Sequence, residues 1–109
     1  MPRTKTAVPD EREFSLLREL VNTTYREFKE LSKKGPNDVI NEYKSKNLER
    51  ILSPIRTMLE NESSYKYLDE LSDEALPTNS DVVILLGQYM QAMSKFYGEH
   101  YRKTGYSGY

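Results

Sequence analysis

Residues Ser80 to Gly105, SDVVILLGQYMQAMSKFYGEHYRKTG, decide the fold of this chain because they predict one long helix with a continuous stripe for burial. The stripe residues follow one another at steps of four, three, four, three and four, so they lie on one face of an α-helix. They are Val82, Leu86, Tyr89, Met93, Phe96 and His100. We expect Ser80 and Asp81 to open this helix and Gly105 to end it. A stripe of this length needs other helices to cover it.

A second long amphipathic pattern lies in the first third of the chain. Its stripe has a heptad-like spacing and consists of Phe14, Leu17, Val21, Thr24, Phe28 and Leu31, broadened by Leu16, Leu20 and Tyr25. Pro9 and Asp10 favour a helix start, whereas Gly35 followed by Pro36 favours an end. The pattern therefore predicts a first helix that is similar in length and period to the last one.

Two weaker helices are predicted between the long ones. One would span about residues 38–61, with Asn37 or Asp38 as its N-cap, and Pro54 would kink or break it. A short third helix would follow over residues 65–76. Together the four segments predict an all-α, antiparallel helical bundle of three to four helices, in which the first and last helices are the longest.

The length of 109 residues predicts a single domain. We expect a flexible arm at residues 1–8, the bundle at 9–105 and a flexible tail at 106–109. The chain has no cysteine, which excludes disulfides, thiolate zinc sites and cysteine nucleophiles. No apolar run resembles a signal peptide or a membrane span, so we expect a cytoplasmic protein.

The formal net charge of −1 argues against binding to nucleic acid by electrostatics alone, because such binding usually needs a concentrated basic face. The negative charge is concentrated at residues 59–81, where Asp69, Glu70, Asp73 and Glu74 form two pairs at helical i, i+4 spacing. The calcium-loop pattern is absent from this segment, so a solvated acidic face is the favoured interpretation. The sequence predicts neither a metal nor a cofactor.

Tyrosine is unusually abundant, with nine residues in the chain. Tyr97, Tyr101 and Tyr106 lie near the C-terminus beside Arg102, and this combination of residue types is typical of protein interfaces. We therefore predict Tyr97, Tyr101, Arg102 and Tyr106 as partner-binding residues. The expected function is that of a small, non-enzymatic interaction or regulatory protein that binds a protein partner through this helix.

Two further expectations concern the partner. The apolar stripes of the long helices are wider than a monomer of this length obviously needs, which favours a homodimer. The same tyrosines, interleaved with Lys95, Arg102 and Lys103, could stack on single-stranded bases. The alternative function is therefore that of a nucleic-acid-associated accessory subunit of a larger assembly.

The only histidine, His100, has no Ser, Asp or second His at a spacing that would form a triad or a two-histidine metal site. The run from His100 to Lys103 resembles the histidine phosphotransfer bundles of two-component signalling, in which a histidine precedes a lysine by three residues on a four-helix bundle. That resemblance implies a phosphoryl-accepting role for His100 as a second alternative. The family pattern has a glycine after the lysine, whereas this chain has Thr104.

Gly87 and Gly98 are the last pair of interest, because they lie eleven residues apart within the long helix. This spacing is close to three turns, so both glycines share one side of the helix. Glycine inside a helix costs about 1 kcal/mol relative to alanine. We therefore predict close packing at Gly87 and Gly98, either by another helix or by a ligand.

Overall fold

A computed structural model describes residues 10–71 and 74–101 of the chain. It contains α1 at Glu11–Lys34, α2 at Glu42–Leu59, a short 3₁₀ helix at Ser63–Tyr67, and α3 at Asn79–His100. The all-α bundle is confirmed, with long first and last helices. Within the described ranges there is no strand, only an isolated bridge between Val39 and Thr78. The predicted arm at 1–8 and tail at 106–109 lie outside the described residues.

The α1 helix runs antiparallel to α3, and the two are joined at both ends. Phe14, near the start of α1, stacks on Phe96 near the end of α3 with ring centroids 5.7 Å apart. At the opposite end, the Asn79 side-chain Nδ2 donates a hydrogen bond of 2.9 Å to the Gly35 carbonyl. These contacts align α1 with the whole length of α3.

The α2 helix runs in the same direction as α3. The backbone N–H of Ile40, just before α2, donates to the Pro77 carbonyl just before α3. Beyond the far end of α2, the Glu62 carboxylate contacts the His100 ring at the end of α3. The connection at residues 60–78 therefore returns along the length of the bundle.

The core follows the predicted stripes closely. Five of the six stripe residues on α3 are at most 2% exposed, namely Val82, Leu86, Tyr89, Met93 and Phe96. The α1 helix buries Phe14, Leu17, Val21 and Phe28, and α2 buries Leu48, Leu52, Ile55 and Leu59. In contrast, Leu16 and Leu20 are 58% and 40% exposed. The α1 stripe is therefore narrower than predicted.

The ends of the long helices are fixed by local hydrogen bonds. The Asp10 carboxylate caps α1 by accepting from the Arg12 N–H, and the Gly35 N–H closes its last turn on the Leu31 carbonyl. The α3 helix begins one residue earlier than predicted. Its cap is a reciprocal pair in which Thr78 accepts from the Asp81 N–H and the Asp81 carboxylate accepts from the Thr78 N–H. The predicted end of this helix at Gly105 lies outside the described residues.

The α2 helix begins later than predicted and is not broken. Asn41 is its cap and accepts from the Lys44 N–H at 2.8 Å, whereas the predicted caps, Asn37 and Asp38, precede the helix. The late start follows from the pairing of the preceding residues with the Pro77–Thr78 segment. The helix then continues through Pro54. Pro54 is exposed, so the packed face of α2 is uninterrupted.

The predicted third helix at residues 65–76 is wrong. The segment forms only the 3₁₀ helix at Ser63–Tyr67 and continues without helix as far as residue 71. The physical reason is that side chains of α3 form hydrogen bonds with both the N–H and the carbonyl of Asp69. Its N–H donates to the Gln88 side chain at 3.2 Å, and its carbonyl accepts from the Tyr89 hydroxyl at 2.8 Å. These tertiary hydrogen bonds replace the ones a helix would have used.

None of the described helices combines the length and the apolarity that crossing a membrane requires.

The hydrogen bond from the Asn79 side chain to the Gly35 carbonyl provides a test of the fold. Asn79 is 7% exposed, so replacing it removes a hydrogen bond from a site that water reaches poorly. We expect Asn79→Ala to lower the free energy of unfolding by about 1–2 kcal/mol in urea denaturation. Asn61→Ala, at an exposed turn position, is the matched control and should have almost no effect. Equal stability of the two variants would contradict the stabilising role of this hydrogen bond.

Candidate functional site

The end of α3 and the start of α1 together form an aromatic cluster with an exposed side. Phe14 is fully buried, and Tyr97 and Tyr101 are half-buried beside it, with centroid distances of 5.9 and 5.2 Å from its ring. The two tyrosine rings are 5.6 Å apart. The Arg18 guanidinium lies 5.2 Å from the centre of the Tyr97 ring. We call the surface formed by Arg18, Tyr97 and Tyr101 the aromatic face.

The two ends of the aromatic face carry charges of opposite sign. Arg18 lies on one side, and the first turn of α1 lies near Tyr101 on the other. Burial raises the pKa of the Tyr101 phenol, and the negative charges of Glu11, Asp10 and Glu13 raise it further. The face therefore has a basic end and an acidic end, with aromatic rings between them.

The predicted partner-binding residues are thus only partly accounted for. Tyr97 and Tyr101 lie together on one surface, as their i, i+4 spacing requires. Arg102 and Tyr106 lie outside the described residues. Sequence reasoning missed Arg18, although its position four residues after Phe14 places it on the side of α1 that meets α3. That spacing is the signal that would have identified it.

A polar network joins α2 to α3. The half-buried Arg56 forms an ion pair with Glu49, and its Nη1 donates to the Tyr89 hydroxyl at 3.0 Å. The hydrogen bond to Glu49 is the main reason why the pKa of Arg56 is raised. Burial raises the pKa of the Tyr89 phenol. The Tyr89 hydroxyl thus donates one hydrogen bond, to the Asp69 carbonyl, and accepts one from Arg56, so we assign the network a structural role.

His100 lies at the last position of α3, in contact with groups from two elements. Its Nε2 is 3.1 Å from Oε2 of Glu62, in the turn that follows α2. Its ring lies against Phe96, with centroids 4.2 Å apart. The neighbouring Glu99 forms an ion pair of 2.9 Å with Lys95, and this hydrogen bond lowers the pKa of the Glu99 carboxyl. His100 therefore has a carboxylate partner that no local sequence pattern indicated.

The first two residues of the acidic segment, Asp69 and Glu70, contact the bundle. Asp69 is hydrogen-bonded to the Gln88 side chain, and Glu70 lies 4.0 Å from the Arg56 guanidinium. Both residues lie in non-helical chain before the end of the described stretch at residue 71. Asp73 lies outside the described residues. The segment is thus attached to the bundle rather than forming a free acidic helix face.

A groove of about 610 Å³ lies between the second half of α1 and the first half of α2. Phe28 and Leu31 of α1 and Leu48 and Ile51 of α2 contribute its apolar lining. Its rim carries charges of both signs, from Glu27, Glu30, Lys34 and Lys44. Because each of these residues fits an ordinary amphipathic stripe, the sequence does not distinguish this groove from core.

The close packing predicted at Gly87 and Gly98 is not seen among the described residues. Apart from its chain neighbours and the backbone of its own helix, a Cβ atom added at either position meets no described heavy atom within 4 Å. Close packing by a ligand at this side of the helix stays a prediction.

In comparisons with known proteins, the sequence matches no protein-family model, no curated protein and no solved structure.

The Tyr89 hydroxyl is expected to contribute to stability in a pH-dependent way. Tyr89→Phe removes the hydrogen bonds to Asp69 and Arg56, and we expect a loss of about 1–3 kcal/mol in the free energy of unfolding at neutral pH. The pKa of this phenol is raised from its ordinary 10.0 in the fold. Above pH 10 the unfolded wild type loses this proton while the folded protein keeps it, so wild-type stability falls. The difference in the free energy of unfolding between wild type and variant should therefore decrease as the pH rises above 10.

Urea denaturation across neutral and alkaline pH measures that difference. Tyr43→Phe, which changes an exposed tyrosine, is the control and should match the wild type at every pH. A constant difference above pH 10 would contradict the pH dependence, and a variant as stable as the wild type would contradict the role of the hydroxyl.

The open space around the glycines leads to a separate expectation. Alanine is the better helix former, so Gly87→Ala and Gly98→Ala should each raise the free energy of unfolding by about 0.5–1 kcal/mol. Thermal denaturation of the isolated protein measures this change. Destabilisation by either variant would show that another group occupies the space beside the helix.

Proposed function

We propose that this chain is a small, non-enzymatic interaction or regulatory protein that binds a protein partner through the aromatic face. The observation that supports this proposal is the arrangement of Tyr97 and Tyr101 as adjacent, half-buried rings held by Phe14. Tyrosine and arginine are the residue types enriched at the energetically important centres of protein interfaces. The aromatic face presents both types side by side.

Preorganisation is the second support for the proposal. Binding usually costs about 0.5–1.5 kcal/mol for each flexible side chain that becomes fixed. Both tyrosines already lie against Phe14, and Arg18 already lies over Tyr97. A partner that covers these groups therefore orders little that was free beforehand.

The charge pattern favours a second copy of this chain as the partner. Arg18 and Glu11 lie seven residues apart on α1, which is about 10 Å along the helix axis. Tyr97 and Tyr101 lie against α1 between them. A twofold axis through the tyrosines would place Arg18 of each copy opposite the acidic first turn of the other. Such self-complementarity is what an isologous dimer interface requires.

The two alternative functions have less support. The nucleic-acid alternative depends on Lys95, which pairs with Glu99, and on Arg102 and Lys103, which lie outside the described residues. The phosphotransfer alternative needs an accessible histidine within a helix and beside small neighbours. His100 is instead the last residue of α3, and its Nε2 contacts Glu62. We therefore propose neither of them.

A charge-swap experiment tests the proposed dimer. Arg18→Glu places like charges opposite each other across the interface, so we expect the dissociation constant of the dimer to rise at least about tenfold. The double variant Glu11→Arg with Glu13→Arg should weaken the dimer in the same way. When the two variants are mixed, the opposite charges face each other again and a mixed dimer should form. Analytical ultracentrifugation across a concentration series measures all three, and circular dichroism checks that each variant is folded.

Arg26→Glu is the matched control, because Arg26 is an exposed arginine further along α1. It should leave dimerisation unchanged. A wild-type chain that stays monomeric throughout the series would overturn the homodimer. Binding of a different protein is then decided with the same variants as bait in affinity capture from the native host. A protein retained by wild type and Arg26→Glu but lost from Arg18→Glu supports the aromatic face, and equal retention by all three contradicts it.

A further inference from the structure

Three side chains that can ligate metals converge at the C-terminal end of α3. They are Glu62, from the turn after α2, and Glu99 and His100, from the last turn of α3. One ligand atom of each residue lies within 4.8 Å of those of the other two. Two of the residues are adjacent in sequence, but Glu62 is 38 positions away from His100. Tertiary packing alone therefore brings this set together.

The site is partly shielded and the imidazole is held in place. The side chains of Glu62 and His100 are 19% and 28% exposed, respectively. The His100 ring packs against the buried Phe96, and its Nε2 already points at a carboxylate oxygen 3.1 Å away. In tetrahedral zinc sites, ligands at about 2.0–2.1 Å from the metal are roughly 3.3 Å apart. The 3.1 Å between His100 Nε2 and Glu62 Oε2 is close to that spacing, and a Glu99 oxygen lies within 4.8 Å of both atoms.

We propose that Glu62, Glu99 and His100 bind one divalent transition-metal cation of the Zn²⁺ class. One imidazole nitrogen and two carboxylate oxygens form a donor set that suits zinc. The same set is poor for Ca²⁺ and Mg²⁺, which prefer ligands made only of oxygen. The position also favours a cation because it lies at the negative end of the α3 helix dipole.

Lys95 competes with this cation. Its Nζ is 2.9 Å from Oε2 of Glu99, so a bound metal has to take the carboxylate from the ammonium group. The pair is exposed on both sides and is therefore weak. A metal can displace it, and removing Lys95 should improve metal binding.

A bound cation would clamp the turn after α2 to the end of α3. That end continues directly into Tyr101 of the aromatic face, and Phe96 contacts both His100 and Tyr101. The cation would therefore fix the last turn of α3, which carries Tyr97 and continues into Tyr101. The metal site does not depend on the proposed dimer, and either can fail without the other.

The composition of the chain makes the test unusually clear. With one histidine and no cysteine, the signal of His100 is the only imidazole signal, and no thiolate competes for zinc. The probe is Zn²⁺ added to the full chain, purified without a histidine tag. We expect one equivalent to bind at micromolar concentration, with a shift of the His100 imidazole resonances and a higher melting temperature. Ca²⁺ and Mg²⁺ at the same concentration should produce neither change.

Variants identify the ligands. His100→Ala should abolish zinc binding, and Glu62→Gln, which keeps the shape of the side chain, should weaken it about tenfold or more. Lys95→Ala should strengthen it roughly two- to fivefold, as expected from loss of a competing surface ion pair. Glu60→Gln, an exposed glutamate two residues before Glu62, is the control and should leave the affinity unchanged.

Isothermal titration calorimetry and imidazole resonances together decide the outcome. The proposal is overturned if Zn²⁺ leaves the His100 resonances unshifted, or if His100→Ala binds zinc as tightly as the wild type. It is also overturned if Glu62→Gln and Glu60→Gln have equal affinity, because the cluster would then be an ion-pair network only.

Discussion

The apolar stripe of α3 is buried only when a helix packs along each of its two sides. Most of the architecture follows from this requirement. The α1 helix meets α3 from Phe14 at one end to Gly35 at the other, and α2 meets it through Arg56. The buried side chains of all three helices form one continuous cluster. Because α1 is antiparallel to α3 and α2 is parallel to it, the chain between α2 and α3 has to return along the bundle.

The hydroxyl of Tyr89 explains how that returning segment is attached. A tyrosine in a buried stripe brings a polar group into the core, and that group needs hydrogen-bonding partners. The Asp69 carbonyl accepts a hydrogen bond from the hydroxyl, and Arg56 donates one to it. The Gln88 side chain also donates a hydrogen bond to the Asp69 carboxylate. The segment around Asp69 therefore packs as extended chain, although its apolar spacing favours a helix. Here the need to satisfy one buried hydroxyl outweighs local helix propensity.

The two proposed binding properties meet at the last turn of α3. Phe96 is the shared support, because its ring contacts both His100, on the side of the metal ligands, and Tyr101, on the aromatic face. The consecutive residues His100 and Tyr101 thus belong to different sites. A rigid last turn benefits both sites, since each one depends on side chains whose positions are fixed before binding.

Local rules of periodicity and capping were enough to predict the long helices from the amino-acid sequence. The spacing of Phe14, Val21 and Phe28 and the turn residues around Gly35 were enough to place α1, because amphipathic periodicity and capping act over a few residues. Leu16 and Leu20 showed the limit of such rules, since periodicity does not fix how wide a buried stripe is. The start of α2, the conformation of residues 65–71 and the contact between Glu62 and His100 could not be predicted in this way. Those features depend on contacts between residues distant in sequence, whose energies arise only when the helices have packed.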